Sequence, residues 1–304
     1  MIIKERCRPV ELEIMKYLNV RGKLTETEAK NYSVLIKGYE GEIKFDKWVE
    51  HLLCDCLILN DLLLEYDHNV FQIDTLLITY ETIYLINVKN YEGDFYFESG
   101  KWFTLYRSEI KDPLLQLKRS DYLLQQLIRS LGFPHYSIEA LLVFINPHFH
   151  LYQSSMNLPI IFPSQLERFK HKLEKQKAKL NNRHSKIAKL LISLHKPKSI
   201  YTHIPDYDYD QLQKGIVCSS CHFLNLNLNI DKLICKECGA VEAVDLAVLR
   251  SVEEFKLLFP EMKVTTHIIH EWCAVIKSKK TIRRILKTNF NPIGYGSSSY
   301  YVNK

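Results

Sequence analysis

The sequence lacks a long hydrophobic run. Its longest uninterrupted apolar stretch covers residues 140–145, whereas a membrane-spanning helix needs about 20 apolar residues. Residues 1–15 are interrupted by glutamate, arginine and proline, so they lack the continuous apolar region of a secretory signal. We therefore expect a cytoplasmic protein without a membrane partner.

The sequence also lacks the polar bias of a disordered chain. Hydrophobic residues make up 46% and aromatic residues 12% of the composition, which is typical of a globular protein. A length of 304 residues is sufficient for one substantial core and one or two smaller modules.

Excess positive charge is confined to two segments. Residues 166–198 contain eleven Lys or Arg against two Glu, and residues 262–304 contain eight against one. These segments carry +9 and +7, which leaves −10 for the remainder of a chain whose net charge is +6. Either they attract the phosphates of nucleic acid, or they are solvated basic helix faces.

Cysteine is sparse, but four of the eight cysteines have the spacing of a metal site. Cys218 with Cys221 and Cys235 with Cys238 form two C-x2-C pairs that are thirteen residues apart. In a reducing compartment this spacing predicts a structural zinc ion bound by four thiolates. The alternating residues between the pairs predict a β-hairpin, and hence a zinc ribbon that contacts nucleic acid or a protein partner.

Polar side chains interrupt two otherwise apolar strands within residues 71–89. Asp74 lies in the first strand, and a hairpin through residues 80–82 leads to the second. Asn87 and Lys89 share a face of the second strand because successive side chains alternate between sides. We therefore expect Asp74, Asn87 and Lys89 to converge.

Two predicted helices add further polar candidates. Glu42 follows Gly38 and Gly41 at a helix start and falls on the apolar stripe, so it is either a ligand of the site or a carboxylate favoured by the helix dipole. Gln116 lies in the first turn of a helix that begins at Pro113. It either takes part in the site or is an ordinary exposed glutamine.

Several of these motifs together resemble a known family. The segments FQID, VKN and YEG, the GxxGE opening and the Pro-x-x-Gln are similar to the nuclease-related (NERD) domain of the PD-(D/E)XK nuclease superfamily, over roughly residues 38–147. The resemblance implies an α/β, restriction-endonuclease-like α-β-β-β-α-β core with a mixed central sheet. It also implies the catalytic residues Asp74, Lys89, Asn87, Glu42 and Gln116.

The resemblance implies a role for each of these residues. Asp74, Asn87 and Glu42 would hold Mg²⁺ or Mn²⁺, and Lys89 would position or activate the attacking water. Asn87 stands where the superfamily has an acidic residue. The function implied is a nuclease-related, DNA-binding protein that hydrolyses phosphodiester bonds with a divalent metal ion. The alternative is a catalytically inactive regulator or adaptor that binds nucleic acid.

The C-terminal residues resemble a winged helix. Residues 244–258 predict a helix, residues 264–275 and 280–287 a helix-turn-helix, and the last residues a hairpin wing. The second helix of the pair would enter a DNA major groove, although other winged helices bind proteins. Its basic residues are Arg283, Arg284 and Lys287.

The chain thus divides into five expected segments. They are an N-terminal helical brace (1–36), a nuclease-like domain (37–163), a basic amphipathic helix (164–198), a zinc ribbon (199–242) and a winged-helix-like module (243–304).

Overall fold

The structure is a computed structural model that describes residues 1–22, 24–175, 178–196 and 204–304. The chain forms two compact units. The first contains Met1–Arg8 and Val34–Thr202, and the second contains Pro9–Ser33 and His203–Lys304. Within the described ranges, no helix combines the length and apolar character needed to cross a membrane.

Groups of strands and groups of helices follow one another along the chain. The strands are β1 (Ile2–Lys4), β2 (Leu57–Tyr66), β3 (Asn69–Ile78), β4 (Thr82–Lys89), β5 (Gly93–Glu98), β6 (Lys101–Thr104), β7 (Glu109–Ile110), β8 (Ser137–Phe144), β9 (Phe149–Tyr152), β10 (Ile160–Ile161), β11 (Leu226–Asn229), β12 (Lys232–Cys235), β13 (Val241–Ala243), β14 (Phe290–Ile293) and β15 (Tyr300–Asn303). The α-helices are α1 (Val10–Arg21), α2 (Glu26–Glu50), α3 (Pro113–Ser130), α4 (Leu166–Glu174), α5 (Asn182–Ser193), α6 (Val244–Leu258), α7 (Thr266–Cys273) and α8 (Lys279–Asn289).

A mixed six-stranded sheet forms the centre of the first unit, in the order β1-β2-β3-β4-β8-β10. Strands β2, β3 and β4 are antiparallel neighbours, whereas β1 runs parallel to β2, β4 to β8, and β8 to β10. Ile78 of β3 is paired with Ile83 of β4 across a tight turn. The predicted mixed sheet and its central hairpin are therefore confirmed.

Two apolar layers cover the faces of this sheet. Ile83 and Leu85 of β4 pack in a cluster with buried residues of α3 and α5. Ile86 and Val88 pack in a second cluster with Phe45 of α2 and with buried residues of α4. Alternate residues of one strand therefore contact opposite helical layers, as the period of two requires.

Helix α3 begins and ends where the sequence predicts. The Asp112 side chain caps its N-terminus by accepting a hydrogen bond from Leu114 N at 2.8 Å, and Pro113 occupies the first turn. Gly132 follows the helix with φ of +85°, a conformation that favours glycine. This fixed start determines where Gln116 lies.

The first 36 residues are mostly helical, as predicted, and contain α1 and the start of α2. Residues Ile2–Lys4 form the edge strand β1. A strand of three residues is too short for its sequence to show a period of two. Helix α1 belongs to the second unit, where Arg21 Nη2 donates to Glu254 Oε2 of α6 at 2.9 Å and the Arg21 guanidinium lies 3.9 Å from the Trp272 ring centre. Helix α2 begins with a capping box, in which Thr25 and Glu28 exchange side chain to backbone hydrogen bonds. The sequence pattern of Thr25 followed three residues later by Glu28 predicts it.

Two predicted helices have different bounds. Helix α2 runs without a break through Gly38, where the sequence predicts a helix start. The predicted basic helix over 164–198 is two helices, α4 and α5, because the Asn181 side chain accepts from Arg183 N at 2.9 Å and caps a new helix. Its predicted boundary at 198/199 lies outside the described residues.

The second unit contains a three-stranded antiparallel sheet, β11-β12-β13, and the helices α6, α7 and α8, followed by the β14–β15 hairpin. Helix α6 has the predicted bounds. Tyr301 N in the hairpin donates to Val264 O, just before α7, at 2.8 Å. The hairpin is thus joined to the chain between the first two of these three helices.

Candidate functional site

Asp74 lies where the pairing of β3 with β4 ends. The ladder runs from Ile78 to Thr75, and beyond it Val88 N donates to the Asp74 carboxylate oxygen Oδ2 at 2.7 Å. Burial raises the pKa of Asp74, whereas the positive charge of Lys89 and the Val88 hydrogen bond oppose that rise. The side chain is therefore held against the end of β4, close to the charge of Lys89.

Lys89 and Gln116 are in direct contact. Lys89 is the last residue of β4, and its Nζ donates to Gln116 Oε1 in the first turn of α3 at 3.2 Å. Lys89 is half-buried and Gln116 is exposed. The pair can therefore offer both a positive charge and an amide group to a ligand that approaches from solvent.

Asn87 is buried without a hydrogen-bond partner. Its residue is 1% exposed, and neither amide atom, Oδ1 or Nδ2, has a partner among the described residues. A buried polar group without a partner costs about 1–3 kcal/mol. The fold alone gives no reason for an amide at this position.

Arg6 follows β1 and is the cation of this site. Its side chain is 2% exposed. Nε and Nη2 donate to the two carboxylate oxygens of Asp46 at 2.8 and 3.0 Å, and Nη1 donates to Glu42 Oε2 at 2.8 Å. Nη2 also donates to the backbone oxygen of Asp74 at 2.8 Å and to Thr75 Oγ1 at 3.3 Å. Despite its burial, these carboxylates raise the pKa of Arg6.

Glu42 lies within electrostatic reach of Asp74. Burial and then the Asp74 charge raise the pKa of Glu42 to about 8, while Arg6 opposes the rise. Asp61 raises the pKa of both carboxyl groups as well. The structure therefore connects Glu42 with Asp74, Asp74 with Lys89 and Lys89 with Gln116. Asn87 lies two residues before Lys89 on β4, but its amide forms no hydrogen bond with the other four.

The GxxGE and VKN motifs meet at Gly41. A Cβ atom at Gly41 would lie 2.4 Å from the Cβ of Asn90, and Asn90 Nδ2 donates to Lys37 O at 2.7 Å. The glycine is therefore required for close approach of α2 to the end of β4. This approach sets the position of Glu42, the next residue of the helix.

Sequence reasoning missed Arg6, Asp46 and Asp61. Asp46 follows Glu42 by four residues on α2, so helical spacing could have identified it. No local signal identifies Arg6, because its partners are 36 to 69 residues away in the chain.

These residues, as arranged, do not fit Mg²⁺ or Mn²⁺. Hard divalent cations prefer anionic oxygen ligands, but position 87 is a neutral amide and Arg6 is bonded to Glu42 and Asp46. Among the described residues, the carboxylates of this site do not form a group of three or more within 4.8 Å of one another.

The four predicted cysteines lie together and could hold a metal ion. Their sulfur atoms all lie within 4.8 Å of one another, with Sγ–Sγ distances of 3.7 Å between Cys218 and Cys238 and 3.5 Å between Cys221 and Cys235. A tetrahedral zinc ion with Zn–S bonds of about 2.3 Å places its sulfurs about 3.8 Å apart. The donor set and its spacing therefore fit zinc.

The surroundings favour a thiolate at Cys218 but not at Cys221. The Phe223 backbone donor opposes the rise, but burial and hydrogen bonds with the other cysteines raise the pKa of Cys221 to about 12. Ser220 N donates to Cys218 Sγ at 3.4 Å. Burial opposes ionisation, but such backbone donors lower the pKa of Cys218 to about 7. Gly239, after the last cysteine, has φ of +73°, which is the left-handed turn that favours glycine.

The three basic candidates on α8 are exposed, but they differ in their contacts. Arg284 binds Asp245 through two hydrogen bonds, Nη1–Oδ2 at 2.9 Å and Nη2–Oδ1 at 2.6 Å. Arg283 and Lys287 are one helical turn apart and form no ion pair with a described residue. Of the three candidates, Arg283 and Lys287 therefore present charge that no described carboxylate pairs.

Comparison with known proteins identifies the domain that holds this site. The chain has no significant match among curated proteins or among solved structures. Residues 37–145 match the family model of the nuclease-related domain. The chain therefore contains a nuclease-related (NERD) domain, to whose family residues 37–145 belong.

Proposed function

We propose that the protein binds nucleic acid, with DNA as the preferred class, and that the nuclease-related domain contacts the phosphodiester backbone. The observation that carries this proposal is the Lys89–Gln116 pair at the end of β4, where a half-buried cation meets an exposed amide. Phosphate oxygens accept hydrogen bonds from both group types. The proposal therefore rests on side chains of the site and not on the fold alone.

Basic residues on α4 and α5 support this proposal. Several are exposed and form no ion pair with a described residue: Arg168, Lys175, Lys179, Arg183, Lys186 and Lys189. By contrast, Lys172 is paired with Glu139 at 2.9 Å. Cations not used by internal carboxylates can neutralise phosphates and release counterions. Lys186 and Lys189 line an open groove along α5.

In the second unit, we propose a winged-helix-like module that also contacts DNA. Three helices followed by a hairpin that is bonded back to Val264 have the order of that architecture. Helix α8 would lie in the major groove, with Arg283 and Lys287 on phosphates. The alternative is a protein partner at the zinc ribbon, which exposes the apolar side chains of Phe223 and Ile230.

The second candidate function is metal-dependent phosphodiester hydrolysis. It is favoured by the convergence of Asp74, Lys89 and Gln116, in which Lys89 would hold the phosphate or the attacking water. It requires Mg²⁺ or Mn²⁺, whose anionic ligands this site does not assemble. We therefore rank binding before cleavage.

We also propose a reducing compartment, in particular the cytoplasm. All eight cysteines are free of disulfides, and the four clustered thiols are the ligands of a zinc centre that oxidation would destroy. Both properties suit a reducing environment.

Fluorescence anisotropy tests the proposed binding. Labelled single- and double-stranded DNA, and RNA of the same sequence, are titrated with the full chain at about 50 and about 200 mM salt. We expect binding that weakens with salt, and weaker binding by the Lys186→Glu/Lys189→Glu variant. Lys101→Gln, which removes a charge paired with Glu109 at 2.8 Å, is the matched control. Equal affinity of all three proteins, or no binding at low salt, contradicts the proposal.

A further inference from the structure

We propose that the guanidinium group of Arg6 is the resident cation of the nuclease-like site and replaces the divalent metal ion that the family resemblance implies. The inference deepens the proposed function and rests on it, because it states how the same site is charged when nucleic acid binds. It concerns a residue outside the family match, which begins at residue 37.

All three nitrogens of the Arg6 guanidinium group donate hydrogen bonds. The guanidinium bonds to both oxygens of Asp46, to Glu42, to the Asp74 carbonyl and to Thr75. A planar fork with bidentate carboxylate contact is the geometry in which arginine binds anions best. Glu42, which the resemblance assigns to the metal, therefore already has a cation.

Arg6 is also held in place by the strand that precedes it. Lys4, two residues earlier in β1, donates from Nζ to the backbone oxygens of Asn60 and Asp61 at 2.7 and 2.8 Å. Strand β1 is paired in parallel with β2. The central sheet therefore fixes the position of the segment that carries Arg6.

The neutral side chain at position 87 also favours a cation with a single charge. A divalent ion calls for more anionic ligands than a guanidinium, which carries one positive charge. Asn87 is neutral and buried, and its amide has no partner in the described part of the chain. The neutral side chain at position 87 and the guanidinium beside Glu42 and Asp46 are therefore consistent with each other, since both lower the need for a divalent ion.

A Mn²⁺ titration of the full, zinc-loaded chain, followed by the EPR signal of the free ion, tests this inference. The titration contains no nucleic acid, so its result does not depend on whether the protein binds nucleic acid. The variants are Arg6→Gln, Arg6→Gln/Asp74→Asn and Arg8→Gln. Arg8→Gln is the matched control, because it removes a guanidinium from the same segment, where Arg8 is exposed and lies 5.9 Å from the Tyr39 ring centre.

We expect no Asp74-dependent Mn²⁺ site in the wild type or in Arg8→Gln. Arg6→Gln should bind Mn²⁺ at least about tenfold more tightly than the wild type, Mn²⁺ should raise its Tm, and Asp74→Asn should abolish both effects. Asn87→Glu should add a further gain only in the Arg6→Gln background, a non-additivity that a double-mutant cycle measures.

Two results would overturn the inference. One is a wild-type Mn²⁺ site that Asp74→Asn removes, since the metal would then bind beside Arg6. The other is a folded Arg6→Gln protein without any gain in Mn²⁺ affinity. If Arg6→Gln does not fold, comparison of the wild type with Asp74→Asn alone still decides, because Asp74-dependent binding contradicts the inference and its absence upholds it.

Discussion

Arg6 Nη1 lies 2.8 Å from Glu42 Oε2, although the two residues are 36 positions apart in the chain. This contact gives the nuclease-like site a positive charge that comes from outside the matched domain. It also explains why Glu42 can lie near Asp74 in a largely buried position. Protein groups therefore supply both the negative and the positive charges of the site.

Substitution of Gly41 tests how α2 is positioned. Gly41→Ala should lower stability by about 1–3 kcal/mol, because the new Cβ would lie 2.4 Å from the Asn90 Cβ and overpacking has this cost. The matched control is Gly38→Ala in the same helix, where a Cβ meets nothing within 4 Å. It should be neutral or stabilising by up to about 1 kcal/mol. Urea unfolding measures both variants, and equal effects would contradict the packing account.

The buried amide of Asn87 allows a second test. Asn87→Leu should raise stability by about 1–3 kcal/mol, because it removes a buried polar group that has no partner among the described residues. Nucleic-acid affinity should fall in the same variant if the amide is retained for function. Chemical denaturation and anisotropy measure the two effects. A large loss of stability would indicate instead that the amide has a structural partner such as buried water.

The metal centre makes a third prediction. Purified protein should contain about one zinc per chain, and Cys221→Ser should lose that zinc and unfold the ribbon, because site formation and folding are coupled. The exposed Cys7 lies outside the cluster, so Cys7→Ser should retain the metal. Elemental analysis together with circular dichroism checks this. Full zinc content in the Cys221→Ser protein would refute the four-thiolate site.

The three basic candidates on α8 should differ in their effect on DNA binding. Arg283→Ala and Lys287→Ala should each weaken binding and reduce the slope of log affinity against log salt by about 1. Arg284→Ala should have a smaller effect, because Arg284 is bound to Asp245. Salt-dependent anisotropy measures these slopes. An effect of Arg284→Ala as large as that of Arg283→Ala would show that the ion pair opens on binding.

The features predicted from sequence are those with a local pattern. The predicted hairpin places Asp74 and Lys89 on neighbouring strands, the period of two places Asn87 and Lys89 on one face, and the C-x2-C spacing identifies the candidate metal ligands. Arg6 could not be predicted, because its role depends on a three-residue edge strand and on partners far along the chain. The break between α4 and α5 was missed because both sides carry the same basic, amphipathic composition. The Asn181 cap marks the start of the second helix.

The central claim is that the nuclease-related domain binds nucleic acid without a divalent metal ion, with Arg6 as its cation. The most direct measurement is anisotropy of labelled DNA with the wild type, in the presence and absence of Mn²⁺ at constant ionic strength, with gel analysis of the same samples. We predict equal affinity under both conditions and intact DNA. Binding or cleavage that requires Mn²⁺ and is lost in Asp74→Asn would contradict the account.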